Sequence, residues 1–135
     1  MNPEDSLSVV QSYYKSFHAE RPAAVMHALG MVLDDAFVLE SPLVEAQLGG
    51  PASGRAALAA AAGAAPFLKN ADIELLYATL DGIGVVALIH FPSPAGVIVQ
   101  SEHFDIDSRT RRITRLRSYY DPRKLLPSSP VQPEL

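Results

Sequence analysis

Four side chains in this sequence combine proton chemistry with a setting that could use it: Tyr13, Glu40, Glu102 and Asp121. Glu102 lies in a run where alternate residues are apolar. On a strand over 96–107, one face carries Ile98, Gln100, Glu102, Phe104 and Ile106. A carboxyl group among such neighbours is poorly solvated, so its pKa rises, and a protonated acid can donate a hydrogen bond at neutral pH. The competing reading is a glutamate paired with an arginine or placed at a strand edge. Glu40 and Ser41 end an earlier strand just before Pro42. A carboxylate at the lip of an apolar pocket can act as a general base; otherwise it is an exposed acid at a loop edge. Tyr13 flanks the apolar stripe of the first helix. It is either core or, if its hydroxyl reaches Glu102, half of a donor pair for a developing oxyanion. Asp121 follows the last strand and precedes Pro122. It is a turn former or an acid/base group at the pocket mouth.

Other chemistries find little support. With no cysteine there is no disulfide, thiolate metal site or cysteine nucleophile. His90 and His103 lack partners at metal-ligand spacing, so no metal is expected. No glycine-rich phosphate loop and no nucleophile elbow is present. The net charge of −4 disfavours nucleic acid. Seven of the 11 basic residues lie between Arg109 and Lys124, which reads as a solvated strand face and turn. No apolar run approaches the roughly 18 residues of a membrane span. The acidic, polar start MNPEDSLSVV does not resemble a signal peptide, and the expected compartment is the cytoplasm.

The elements that must position these groups follow from periodicity. Leu7, Val10, Tyr14 and Phe17 predict a helix over 5–19, capped by Asp5 or Ser6. Pro22 suits the first turn of a second helix over 22–32, with Val25, Met26, Leu29 and Val32 on its apolar face. Asp34-Asp35 predicts a turn into a strand over 36–40, and Pro42 with 49–54 predicts loop. A third helix over 56–65 is almost pure alanine. It has high helix propensity but little side-chain area, so it must pack closely.

Strands are predicted over 72–80, 83–91, 96–107 and 111–120. The run 83–91 is apolar on both faces and should be central. On the last strand, Arg112, Thr114, Leu116, Ser118 and Tyr120 form the less charged face, expected to point inward. Helices followed by an antiparallel meander make an α+β domain over 1–125, its bent sheet enclosing a pocket. Residues 126–135 hold three prolines and two serines and read as a flexible tail.

The order of elements resembles the nuclear-transport-factor-2-like (NTF2-like) superfamily, which contains ketosteroid isomerases and SnoaL-like polyketide cyclases. Val9-Val10-Gln11-Ser12-Tyr13 resembles the isomerases' first helix, which ends on an oxyanion-hole tyrosine. Asp34-Asp35-Ala36 with Glu40-Ser41-Pro42 resembles their strand leading to the catalytic aspartate. Glu102-His103-Phe104 resembles their Asp-His-Phe, whose acid is the second oxyanion donor. Two departures stand out. One extra residue leaves Glu40 or Ser41 in the general-base place, and Glu102 is one methylene longer than the aspartic acid. Arg117-Ser118-Tyr119-Tyr120-Asp121 resembles the last strand of limonene-epoxide-hydrolase-like and SnoaL-like proteins, where an aspartate is an acid or base. Leu88-Ile89-His90 stands where the hydrolases need Arg-x-Asp.

The resemblance implies a cone-shaped fold, three N-terminal helices on a strongly curved, mostly antiparallel sheet. It implies enolate chemistry on an apolar carbonyl-bearing ring compound, isomerised or cyclised without a cofactor. Glu40 would be the base, and Tyr13 with Glu102 would hold the oxygen. Phe104, Leu116, Tyr120 and Val38, with Phe37 or Met26, would form the walls. It also implies a homodimer paired through the outer sheet face. The alternatives are a non-catalytic binding or dimerising module and an epoxide-opening or cyclising enzyme centred on Asp121.

Overall fold

Asn2 starts the first helix. Its side chain accepts from the Asp5 N–H at 2.9 Å, and Asp5 accepts from the Asn2 N–H at 3.2 Å, a capping box. Helix α1 therefore spans Pro3–Ser16, starting two residues and ending three residues earlier than its periodicity suggests. Ser6 is not a cap. It is buried, and its hydroxyl donates to the Gly82 carbonyl. Gly82 has φ +75°, and a Cβ there would meet the Met1 and Asn2 backbone at 3.0–3.1 Å, so glycine is required at this turn. The computed structural model describes residues 1–121, so the expected tail over 126–135 lies outside the described residues.

Helix α2, Pro22–Val32, has the predicted bounds and runs straight into strand β1, Leu33–Glu40. Asp34 and Asp35 are thus part of the strand rather than a turn before it. They occupy a register shift between Leu33 and Val38. The expected loop after Pro42 is instead helix α3, Pro42–Leu48. Ser41 caps it by accepting from the Val44 N–H at 3.2 Å, Pro42 fills the first turn, and Gly49 closes it at φ +74°.

Strand β2, Ala52–Ser53, leads to α4, Gly54–Gly63, and the short α5, Ala65–Leu68. Ala57 and Ala61 are buried where α4 lies on β1, the close approach that small side chains permit.

Strands β3 (Asp72–Ala78), β4 (Gly84–Ser93), β5 (Gly96–Ile106) and β6 (Ile113–Tyr119) complete one sheet in the order β2-β1-β6-β5-β4-β3. Among the described residues only the β1–β6 pairing is parallel. Register shifts in β1–β6, β3–β4 and β5–β6 bend the sheet. The helices cover its inner face, giving the expected α+β fold.

Alternation along β5 holds: Ile98, Gln100, Glu102, Phe104 and Ile106 are all buried. On β6, Leu116 and Ser118 point inward as expected, but Ile113 is also fully buried. The shift between Asp105 and Ile106 accounts for this, because two residues rather than one separate inward Ile113 from inward Leu116.

Candidate ligand site

Glu102 is 1% exposed and holds three groups together. Its Oε1 accepts from the Tyr14 hydroxyl at 2.9 Å, and its Oε2 from Ser118 Oγ at 2.8 Å. The Gln100 side chain is a third partner. Burial raises the carboxyl above its ordinary range, and these hydrogen bonds offset only part of the rise. Register explains the cluster. Glu102 faces Ser118 directly across the β5–β6 ladder, and Gln100 is two residues away on the same face.

The tyrosine partner differs from expectation. Tyr14, not Tyr13, reaches Glu102. Successive helical residues differ by about 100° in direction, so choosing between neighbours requires the helix's rotation against the sheet. Tyr13 stands at the centre of the buried stripe, edge-on to Phe17, Tyr14 and Phe104 at 5.1–5.3 Å. Burial, and next the Glu102 charge, push both tyrosines well above the ordinary tyrosine range, so both keep their protons.

Above this cluster lies a cavity of about 310 Å³, between the inner sheet face, α1, α3 and the α4–α5 segment. Tyr13, Gln100 and Ser118 give its floor polar character, and Leu39, Phe67, Phe91 and Leu116 give it apolar walls. Ser41 and Tyr120 stand at its α3 side, where the Leu43 N–H donates to the Tyr120 hydroxyl at 3.4 Å. Glu102 itself is behind the floor rather than on it. Among the described residues, the lining contains no acid, histidine, lysine or arginine.

The other expected residues fall in different places. Glu40 points to the outer sheet face, where Arg117 Nε lies 3.1 Å and Arg115 Nε 3.6 Å from its Oε2. The cause is strand parity: Leu39 takes the inward position, so Glu40 cannot. Val38 points outward for the same reason and pairs in register with Arg115. Phe37 and Phe104 are inward but packed in the core beneath the cavity. Met26 lines a separate groove between helices. Leu116 and Tyr120 are the wall residues placed as expected. Asp121 is exposed, just past β6, and does not line the cavity.

Sequence reasoning put Gln100 and Ser118 on the inner face but gave them no role. Opposition to Glu102 on the neighbouring strand was the signal available for Ser118. Among the described residues, no group of three or more acids and histidines stands close enough to hold a metal ion, and no helix is long and apolar enough to cross a membrane.

No family model matches the chain, and no curated protein matches its sequence. Solved structures match its shape. An NTF2-like protein of unknown function from Cytophaga hutchinsonii has a TM-score of 0.62 at 16% identity, covering 89% of this chain and 93% of that one. A SnoaL-like protein of unknown function from Burkholderia thailandensis has a TM-score of 0.65 at 16% identity, covering 90% and 98%. SalBIII, an epoxide hydrolase/cyclase-like enzyme of pyran ring formation in the polyether salinomycin, has a TM-score of 0.63 at 15% identity, covering 90% and 94%. At these identities the likeness concerns architecture, and the chain has the NTF2-like fold.

Proposed function

We propose that this protein binds an apolar ring compound carrying a carbonyl or hydroxyl oxygen, with that oxygen against Tyr13, Gln100 and Ser118. The observation that carries the reading is the cavity floor: three polar residues meet there below mostly apolar walls, and Glu102 fixes two of them from behind. An apolar cavity with a few fixed polar groups is the usual form of a small-molecule site. Binding stands ahead of catalysis because proton abstraction next to a carbonyl needs a base within reach. Glu40 faces the other way, and the cavity lining holds no carboxylate.

Catalysis is the second reading, favoured by one contact. Ser118 touches both the cavity and Glu102. When Glu102 is protonated it can donate to Ser118 Oγ, which frees the serine hydrogen to point at a ligand oxygen. Ser118 and Tyr13 would then stabilise an enolate oxygen, the requirement for an isomerase or cyclase of this fold. No cofactor is needed in either reading. A cyclase centred on Asp121 would need that carboxylate at the cavity.

Fluorescence titration with 2-naphthol tests the site. Wild type is expected to bind, and Ser118→Ala or Tyr13→Phe to weaken binding about tenfold, the size of one neutral hydrogen bond. Glu40→Gln should stay within about twofold, since its ion pairs are solvent-screened and face away. Binding indifferent to Ser118 and Tyr13 would remove the polar floor from the account. Conversion of a β,γ-unsaturated cyclic ketone to its conjugated isomer, followed by absorbance, diminished in Ser118→Ala and kept in Glu102→Gln, would promote the catalytic reading.

We also infer that two copies pair through the outer sheet face. Val99 is 57% and Tyr119 54% exposed there, beside Val86, Leu75 and Tyr77. Exposed apolar faces of this kind mark association surfaces. Sedimentation should give twice the 14.5 kDa chain mass, and Val99→Glu should give the single chain. A wild type that sediments as one chain at high concentration would overturn this.

A further inference from the structure

The wall formed by the end of α4 has a groove on its other side. This groove, of about 470 Å³, lies between the α1–α2 connection and the α4–α5 segment. Phe17, Val25, Met26 and Pro66 make it apolar, and Arg21 and Lys69 stand at its edges. Ala60, Ala61 and Ala64 face the main cavity, whereas Ala62 and Ala65 face the groove. Gly63 lines both. A Cβ built on Gly63 would meet no atom within 4 Å beyond its chain neighbours and its own helix backbone. At exposed Gly63 the partition therefore carries no side chain.

The geometry points to the groove as a second chamber of the ligand site, taking an apolar chain that crosses Gly63 and ends in an anion between Arg21 and Lys69. This rests on reading the main cavity as the place of the ring. Charge and continuity select this occupant. Two cations face one acid, Glu20, at the groove, and among the described residues neither cation makes an ion pair. Both cations are exposed, so a neutral chain would leave them solvated and gain nothing from them, and a cationic one would be repelled. The class implied is a ring compound bearing an aliphatic arm that ends in a carboxylate.

Three probes test this on the full chain: 2-naphthol, which needs only the cavity; 2-naphthol with a 6-alkyl arm ending in carboxylate, compared with its methyl ester; and dodecanoate, which needs only the groove. The carboxylate is expected to bind about tenfold tighter than the ester, the preference falling below about threefold in Arg21→Gln/Lys69→Gln. Ala62→Leu, on the groove side only, is expected to weaken the armed probe about tenfold by filling the groove beside Gly63, with 2-naphthol unchanged. Unchanged 2-naphthol binding also shows that the variant folds. Equal affinity for acid and ester, or an armed probe indifferent to Ala62→Leu, overturns the proposal. If 2-naphthol fails to bind wild type, the cavity reading falls. The groove then stands only if dodecanoate binds and loses affinity in the Arg21/Lys69 variant.

Discussion

Phe104→Ala is expected to lower folding stability by about 3–5 kcal/mol, a large share of the roughly 5–15 kcal/mol that holds a domain together. Phe104 is 1% exposed and lies edge-on to Tyr13 at 5.3 Å and to Tyr14 at 5.9 Å. It pairs across the sheet with Val85 on one side and Leu116 on the other. Truncation removes the contacts among three rings and leaves a void that rigid strands cannot close. Leucine refills part of the volume and should cost less. Urea denaturation followed by far-UV circular dichroism reads the difference, with the midpoint falling and the slope unchanged. The result separates two placements. A residue on the wall of an open cavity, where the sequence puts Phe104, already lacks neighbours on one side and loses less. A cost under about 1 kcal/mol would favour that placement.

Why Phe104 reads as wall and proves to be core is a matter of depth. Alternation along β5 correctly separates inner from outer residues, because a strand with one buried face tolerates no one-residue slip. It does not say how far along the inner face the cavity extends. The same limit explains Glu102, which is inward as expected but beneath the floor. Glu40 fails for a sharper reason. Its face depends on where β1 starts, and beginning that strand at Leu33 with a register shift before Val38 leaves Leu39 inward. A bulge also hides Ile113 among arginines, since strict alternation cannot represent two residues opposite one. Tyr13 and Tyr14 are both buried, so the apolar stripe of α1 cannot choose between them. That choice comes from packing on β5, a contact far away in sequence. By contrast, α2 is legible to the residue, because Pro22 fixes its start locally. Helix α3 is legible in hindsight from Ser41-Pro42 and Gly49, cap signals at both ends of seven residues.

The carboxyl of Glu102 should make stability and ligand affinity depend on pH together. Burial raises its pKa in the folded state, so between the unfolded value near 4.5 and the folded value the native protein binds more protons than the unfolded chain. Stability from this group is therefore greatest in acid and falls as pH climbs through that window, by up to about 1.4 kcal/mol per unit. Below the unfolded value both states are protonated and the dependence disappears. The titratable groups facing Glu102 are Tyr13 and Tyr14, which stay protonated throughout. Glu102→Gln keeps the geometry, because an amide can accept from Tyr14 and donate to Ser118, and it removes the ionisation. The variant should thus gain on wild type as pH rises from 4 and level off above the folded pKa.

Ligand binding adds the functional half. Once Glu102 is a carboxylate, the Ser118 hydrogen points at it, and the cavity loses a donor. Affinity for a cyclic ketone, which only accepts, should fall over the same pH range in wild type and stay level in Glu102→Gln. Parallel denaturation and titration series across that range would measure both. Coincident midpoints would tie the carboxyl to the ligand through Ser118. A stability transition with level ketone affinity would leave Glu102 as a structural group and Ser118 as a fixed part of the wall.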